Sequence, residues 1–289
     1  MSSASPSAPS SRTKIRARRV RFALPSGTQR QHFVADDLVM SHFIAVLSAT
    51  FPEGEDFFIR SVRNFSSQVS DPELRQAVKG FIAQEATHRH HHRLLNERLQ
   101  AMGYPTMSVE RHIAKLITVL EKRFSEKMRL AVTAAFEHYT ATLAEIILTS
   151  EDVQKLIGDT EVRPILLWHA FEESEHKAVA FDVYRAVGGT ERMRVRAMRL
   201  ASLIFLTEVV LQTARSLAGD HTSYQPLRLI RSLIDLRTSP MFTAEALRRF
   251  RSYNRPGFHP NDWDSTAVLE HWASELFNED EPARVGSGQ

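Results

Sequence analysis

The chain has 289 residues, 43% of them hydrophobic and 25% charged, which suits one large folded unit and excludes wholesale disorder or collagen-like repetition. It contains no cysteine, so disulfides, iron–sulfur clusters, thiolate zinc sites and cysteine nucleophiles are excluded, and His, Asp and Glu are the only strong metal ligands left. The net charge of +3 is small for this length and much of the excess falls between Arg12 and Arg21, so no nucleic-acid partner is expected.

Residues 1–18 are Ser, Pro and Ala followed by basic residues, a composition that buries too little apolar surface to offset ordering entropy. They are expected to form a disordered leader, followed by a single helical domain over 19–280 and a disordered tail over 281–289. No apolar run follows the basic residues, so a secretory signal is not expected and a cytoplasmic location is the default.

Helical patterning dominates from Met40 onward, with no alternating run for a sheet, so the expected class is all-α. A first helical region is predicted from about Leu38 to Val69, kinked at Pro52 and Gly54 within FPEGEDFF. The second starts at Ser70-Asp71-Pro72-Glu73, which combines a capping residue with proline in the first turn, and runs to Met102 before Gly103. A third spans about Ser108 to Thr149, with a break near Ser125, and a fourth about Glu161 to Val187, stopped by Gly188 and Gly189. Long helices with mostly short links suit a bundle whose cofactor lies between facing helices.

Met198 to Ala214 is the most apolar stretch, yet it holds Arg199, Ser202, Thr207, Glu208 and Gln212, so it is expected to pack rather than to span a membrane. Because Arg192, Arg194, Arg196 and Arg199 flank it, peripheral contact with a membrane or a partner is the alternative. Shorter helices are predicted at Pro226 to Leu236, Ala244 to Tyr253 and Ser265 to Leu276.

The chemistry lies in two repeats of one spacing. Glu85-Ala86-Thr87-His88 on the second helix and Glu173-Ser174-Glu175-His176 on the fourth each set a carboxylate and an imidazole one turn apart, where both reach one ion. A two-metal bundle site needs two such motifs and one Glu from each remaining helix, and those helices offer Glu55 and Glu137. Glu53 competes with Glu55, which is preferred because it lies past the Pro52 kink, and Glu172 competes with Glu173, which alone pairs at i,i+3 with His176. Phe81, Ile82 and Ala83 before one motif, and Leu166, Leu167, Trp168, Ala170 and Phe171 before the other, point to burial, where unpaired carboxylates are costly.

His169 lies on the stripe of Glu173 and His176 and is a candidate seventh ligand or a group that orients one. His92, Glu53 and Glu172 are candidates for that outer role, and His90 and His91 are expected to face solvent. The expected cofactor is two metal ions, iron first and manganese as the alternative. No phosphate loop, dinucleotide fingerprint or nucleophile elbow is present.

Through FPEGEDFFIRSVRNF, the run Gln84-Glu85-x-x-His88-x-x-x-His92-x-x-x-Asn96, WHAFEESEHKAVAFDVY and Arg255-Pro256-Gly257-Phe258-His259-Pro260, the sequence resembles a bacterial ferritin-like family of predicted metal-dependent hydrolases over roughly Val20 to Phe258. The resemblance implies a ferritin-like four-helix bundle with additional C-terminal helices, and hydrolysis. The placing of His169, Glu173 and His176 is also similar to the extra-histidine pattern of di-iron arylamine N-oxygenases. Weighting the Glu-rich ligand set, the leading expectation is a di-iron oxidoreductase that activates dioxygen to oxidise a small organic substrate, drawing on an electron donor. A two-metal hydrolase is the alternative, and a non-enzymatic metal-binding bundle is a further one.

Overall fold

The computed structural model describes residues 15–22, 31–158 and 162–277, all helix, turn or irregular chain with no strand among them. Most of the expected leader, the tail from residue 278 and Glu161, where the fourth helix was expected to begin, lie outside the described residues. Residues 15–18 do not: Ile15 is buried and Arg18 is ion-paired to Glu172 and Glu175, so the packed chain begins inside the stretch expected to be disordered. Composition read the stretch as a solvated arm because it cannot show that buried acids elsewhere need a cation.

The helices are α1 (Leu38–Arg63), α2 (Pro72–Ala101), α3 (Thr106–Arg123), α4 (Glu126–Thr149), α5 (Glu151–Ile157), α6 (Arg163–His176), α7 (Val179–Ala186), α8 (Glu191–Ala218), α9 (Pro226–Arg237), α10 (Ala244–Ser252) and α11 (Thr266–Leu276). Side-chain caps set the starts: Asp37 accepts from Met40 N, Asp71 from Glu73 N with Pro72 in the first turn, and Ser125 from Met128 N. Ser125 therefore divides the expected third region into α3 and α4. The expected fourth helix is interrupted after His176, where Lys177 and Ala178 separate α6 from α7, and Gly188 ends α7 with φ +76°. Helix α1 continues through Pro52 as one element and stops at Arg63, short of Val69.

Four elements pack in a ring: α1 on α2, α2 on α6 and α7, these on α4, and α4 on α1. Two apolar clusters lie at different heights in it. One gathers Phe58 and Val62 with Val78, Phe81, Leu130, Ala134, Val179 and Phe181; the other gathers Ile44 and Leu47 with Leu95, Leu99 and Ile165. Following each helix between the clusters gives its direction: α1 and α6–α7 run one way, α2 and α4 the other. Ring neighbours are thus antiparallel, while α2 and α4 are parallel. Parallel helices cannot be joined by a tight turn, and α3, packed on α1 and α2, makes the crossover. Outside the ring, α8 packs on α4 and α1, α9 on α1, α10 on α4, and α11 on α6.

Arg194 on α8 is buried and donates to the main-chain carbonyls of Tyr253 and Arg255, while Phe258 is buried against Tyr253 and Phe181. The late Arg255–Pro260 segment therefore closes the α7–α8 end of the bundle. Helix α8 is long and apolar enough to cross a membrane by length and composition; a third of its most apolar window is buried, and Leu203, Leu206 and Val210 are exposed.

The 15–22 segment lies against α2 at Gly80, where an added Cβ would meet Ile15 Cγ2 at 2.7 Å and the Ile15 carbonyl oxygen at 2.9 Å. Gly80→Ala would gain about 1 kcal/mol of helix propensity, but the enforced shift costs ~1–3 kcal/mol. The variant is expected to melt below the parent, and an unchanged or higher melting temperature in thermal unfolding would show that the segment does not hold this position.

Candidate metal centre

Each ring helix carries its carboxylate midway between the two apolar clusters, so helix packing alone brings the acids to one height. Glu55 on α1, Glu85 on α2, Glu137 on α4 and Glu173 on α6 are all buried, as are His88, His169 and His176. Glu85 belongs to two groups whose ligand atoms lie within 4.8 Å of one another, Glu55–Glu85–His88 and Glu85–Glu137–His176, and a third group is His88–His169–Glu173. Glu173 straddles the centre: Oε1 is 2.9 Å from His169 Nε2 and 3.5 Å from His88 Nδ1, and Oε2 is 3.5 Å from His176 Nε2. His176 Nε2 is also 3.1 Å from Glu85 Oε1 and 3.3 Å from Glu137 Oε2.

Both carboxylate oxygens of Glu55, Glu85 and Glu137, together with Glu173 Oε2, His88 Nδ1 and His176 Nε2, are buried with no hydrogen-bond partner among the described residues. Orphaned acceptors converging on one point fit a cation, because such groups are otherwise paired. A separate buried trio, His32, His42 and Asp220, makes the contrast: its atoms bond one another, Ser216 and Arg228.

Outside this layer sits a second one. His88 Nε2 is 3.1 Å from Glu172 Oε2, and Arg18 reaches Glu172 at 3.2 Å and grips both oxygens of Glu175 at 2.6 and 2.7 Å. Gln84 bridges Glu175 and His176 Nδ1. His92 lies 2.8 Å from His169 Nδ1, and with His169 and Glu55 it forms a further buried group whose ligand atoms lie within 4.8 Å of one another. Glu53 is not in this layer; it points outward to Arg93 at 3.3 Å. His91, expected in solvent, is buried against Phe22 and Trp168, and burial pushes its pKa down to about 4. Sequence spacing missed Arg18, Gln84, Ser48 and Asn96 as parts of the site, although Gln84 and Asn96 bracket the first motif on α2.

Burial and crowding shift the titration of these groups in the metal-free chain. Burial, reinforced by the Glu85 charge, lifts Glu55 well above the carboxylate range, and burial lifts Glu137 to about 8 against the opposing charge of His176. Burial opposes a charge on His88, but the hydrogen bond to Glu172, the nearby Glu173 carboxylate and the Glu85 charge overcome it and raise His88 to about 10. His176 rises for the same kind of reason, with burial outweighed by Glu173 and Glu137. Glu173 goes the other way: His176 and the bonds to the imidazoles overcome burial and hold it well below the usual range. Burial lowers both His92 and His169.

A family model described as a predicted metal-dependent hydrolase matches residues 16–264. The chain belongs to the family of predicted metal-dependent hydrolases. No curated protein and no solved structure matches the chain. Membership in this hydrolase family brings metal dependence together with the buried Glu and His groups, and it favours the hydrolase alternative over the dioxygen-activating expectation, which no comparison supports.

The raised values carry a sign. Glu137 and His88 bind protons more tightly folded than unfolded, so in the metal-free protein their contribution is full at low pH and is lost as pH rises through about 8 and then about 10. A metal must displace those protons, so its affinity should rise with pH over that interval. Thermal unfolding of metal-free and metal-loaded protein should diverge as pH rises through about 8; a constant gap would mean that these groups do not titrate with metal binding.

Proposed function

We propose that this chain is a two-metal-dependent hydrolase acting on a small, mainly apolar molecule. The observation that carries the reading is the sharing of Glu85 between two buried ligand groups, with Glu173 spanning the same gap. In this reading Glu55, His88 and His169 would hold one ion, Glu137 and His176 the other, and Glu85 and Glu173 would serve both. When bound, two such ions polarise a scissile carbonyl or phosphoryl oxygen and bring the pKa of water toward neutrality.

The protein's own part is shape and dryness. A cavity of about 70 Å³ reaches His169 and Glu173, touches Ser48, His92 and Thr140, and is walled mainly by apolar groups such as Ile44, Leu47, Phe51 and Leu143. A second cavity of about 110 Å³ lies beyond, with Leu47, Phe51, Thr140 and Leu143 lining both. The first has room for little more than a small substrate fragment, and Phe51 stands between it and more space. Apolar walls favour an apolar substrate body and keep bulk water from the charged layer.

A dioxygen-activating di-iron centre is the second reading, and one observation favours it. The donor set is Glu and His without Asp, in a ring of helices whose parallel pair is joined by one crossover, the arrangement of ferritin-like carboxylate proteins. In that reading the ions are iron, with manganese as the substitute, and an electron donor is required.

Elemental analysis of the purified protein should approach about two ions per chain, and Glu85→Ala, which removes the shared carboxylate, should lose most of both. Full retention of metal in Glu85→Ala would remove the shared-carboxylate site. Metal-loaded protein should then cleave small apolar esters or amides at the same rate with and without dioxygen. Turnover that stops on removing dioxygen, and that consumes it, would replace hydrolysis with oxidation.

A further inference from the structure

His169 is tied on its outer side to a chain of buried groups that ends at an atom with only one possible role. Asn96 Nδ2 lies 3.2 Å from the main-chain carbonyl of Ser48, which can only accept, so the amide is oriented and its Oδ1 faces Ser48 Oγ at 2.7 Å. Ser48 has one hydroxyl hydrogen, and Asn96 Oδ1 takes it. Its Oγ, 3.0 Å from His92 Nδ1, must therefore accept, and Nδ1 carries a hydrogen.

His92 is fully buried and hydrogen-bonds to no carboxylate, so a second proton on it would be an unpaired buried charge. Its Nε2 is left bare, and His169 Nδ1, 2.8 Å away, donates to it. That leaves His169 Nε2 bare too, 2.9 Å from Glu173 Oε1 and 3.9 Å from Glu55 Oε1. Lone pairs facing each other at 2.9 Å repel, so the geometry leaves His169 Nε2 and Glu173 Oε1 as a pair of donor atoms that suits a cation.

We infer that Asn96, Ser48 and His92 form a tautomer relay that holds the hydrogen on His169 Nδ1 and presents Nε2 to the metal; the inference rests on the two-metal reading. Gln84 repeats the logic for His176 in one step. Its Nε2 donates to the Arg16 carbonyl at 3.1 Å and to Glu175 Oε2 at 2.8 Å, so its Oε1 accepts from His176 Nδ1 at 3.0 Å. His176 Nε2 is then bare where Glu85, Glu137 and Glu173 meet. Two amides on α2, flanking the Glu85–His88 motif, thus set the donor atoms of two imidazoles on α6. The three relay residues are positioning residues: His92, although grouped with Glu55 and His169, uses Nδ1 on Ser48 and Nε2 on His169, which leaves it no nitrogen for a metal.

Two measurements on the full chain test this. Nitrogen-15 NMR of histidine-labelled protein should find His92 protonated at Nδ1 and bare at Nε2, and, after Zn2+ loading, His169 Nε2 shifted as a metal-bound nitrogen. His92 carrying its hydrogen on Nε2 overturns the relay. In parallel, Co2+ titration should show His92→Leu binding about 10- to 100-fold more weakly than the parent, with an altered visible spectrum, the usual scale for losing a group that orients a ligand. His92→Gln, whose Oε1 can accept from His169 Nδ1, should recover the parent's spectrum and most of its affinity. Equal affinity and spectrum in His92→Leu and the parent overturn the relay, and if His92→Leu fails to fold, the NMR of the unsubstituted chain decides. A parent that takes up no Co2+ overturns the two-metal reading and the donor role with it, an outcome distinct from a parent and His92→Leu that bind equally.

Discussion

Four carboxylates at one height in a helical core set the terms for everything around them. Glu55, Glu85, Glu137 and Glu173 are buried, and all their carboxylate oxygens but Glu173 Oε1 lack a hydrogen-bond partner among the described residues. Each unpaired charge there would cost several kcal/mol, and a whole domain has only about 5–15 kcal/mol of net stability. The layer is therefore tolerable only with cations in it, either protons on Glu55, Glu137, His88 and His176 or metal ions in their place. Apolar clusters above and below give the acids no alternative partner and leave the helices no room to splay.

The same constraint explains the acid-rich run of α6. Glu172, Glu173, Glu175 and His176 look redundant in sequence, but the helix turns them to different neighbours. Glu173 and His176 face the centre, while Glu172 holds His88 and, with Glu175, meets Arg18 from the segment before α1. Arg18 also lies over the rings of Phe171 and Phe277. One arginine from outside the bundle thus neutralises the outer acids and leaves the inner ones to the metal. A guanidinium suits this role because its planar fork grips both oxygens of a carboxylate at once.

Much of this was legible in the sequence where the signal is local. Caps at Asp71 and Ser125, glycine at 188 and the repeated Glu-x-x-His spacing are properties of single turns, and α2, α4 and the placing of Glu85, His88, Glu173 and His176 follow from them. The choice of Glu55 over Glu53 rested on the Pro52 kink, but α1 continues through Pro52, and what separates the two is that they lie on different sides of the helix, the outward one meeting Arg93. What depends on contact across the fold was not legible. The break after His176 has no Gly or Pro to announce it, His91 owes its burial to Phe22 and Trp168, and Arg18 carries no local mark that separates it from its basic neighbours. Ser48 reads as an ordinary polar helix residue, and Asn96, although it ends the run that carries the family resemblance, has no role until His92 is seen between Ser48 and His169.

The position of the cavity bears on the chemistry independently of the family's description. It opens on His169 and Glu173, on the Glu55–His88 side of the centre, while His176 and Glu137 are enclosed by Phe81 and the apolar layer of α4 and α7. In the proposed two-metal reading the two halves of the centre are therefore unequal: one lines the cavity, and the other is enclosed by packed side chains. That asymmetry gives the relay its consequence. The imidazole whose donor atom is set through three intervening residues lines the cavity, where an arriving molecule can compete for a coordination position. The imidazole set by a single amide is the sheltered one. A structural ion needs only enough donors, whereas a reactive one needs a position that can be vacated without losing the ion, and an imidazole held in its ligating tautomer beside an apolar cavity meets that requirement whether the reagent is water or dioxygen.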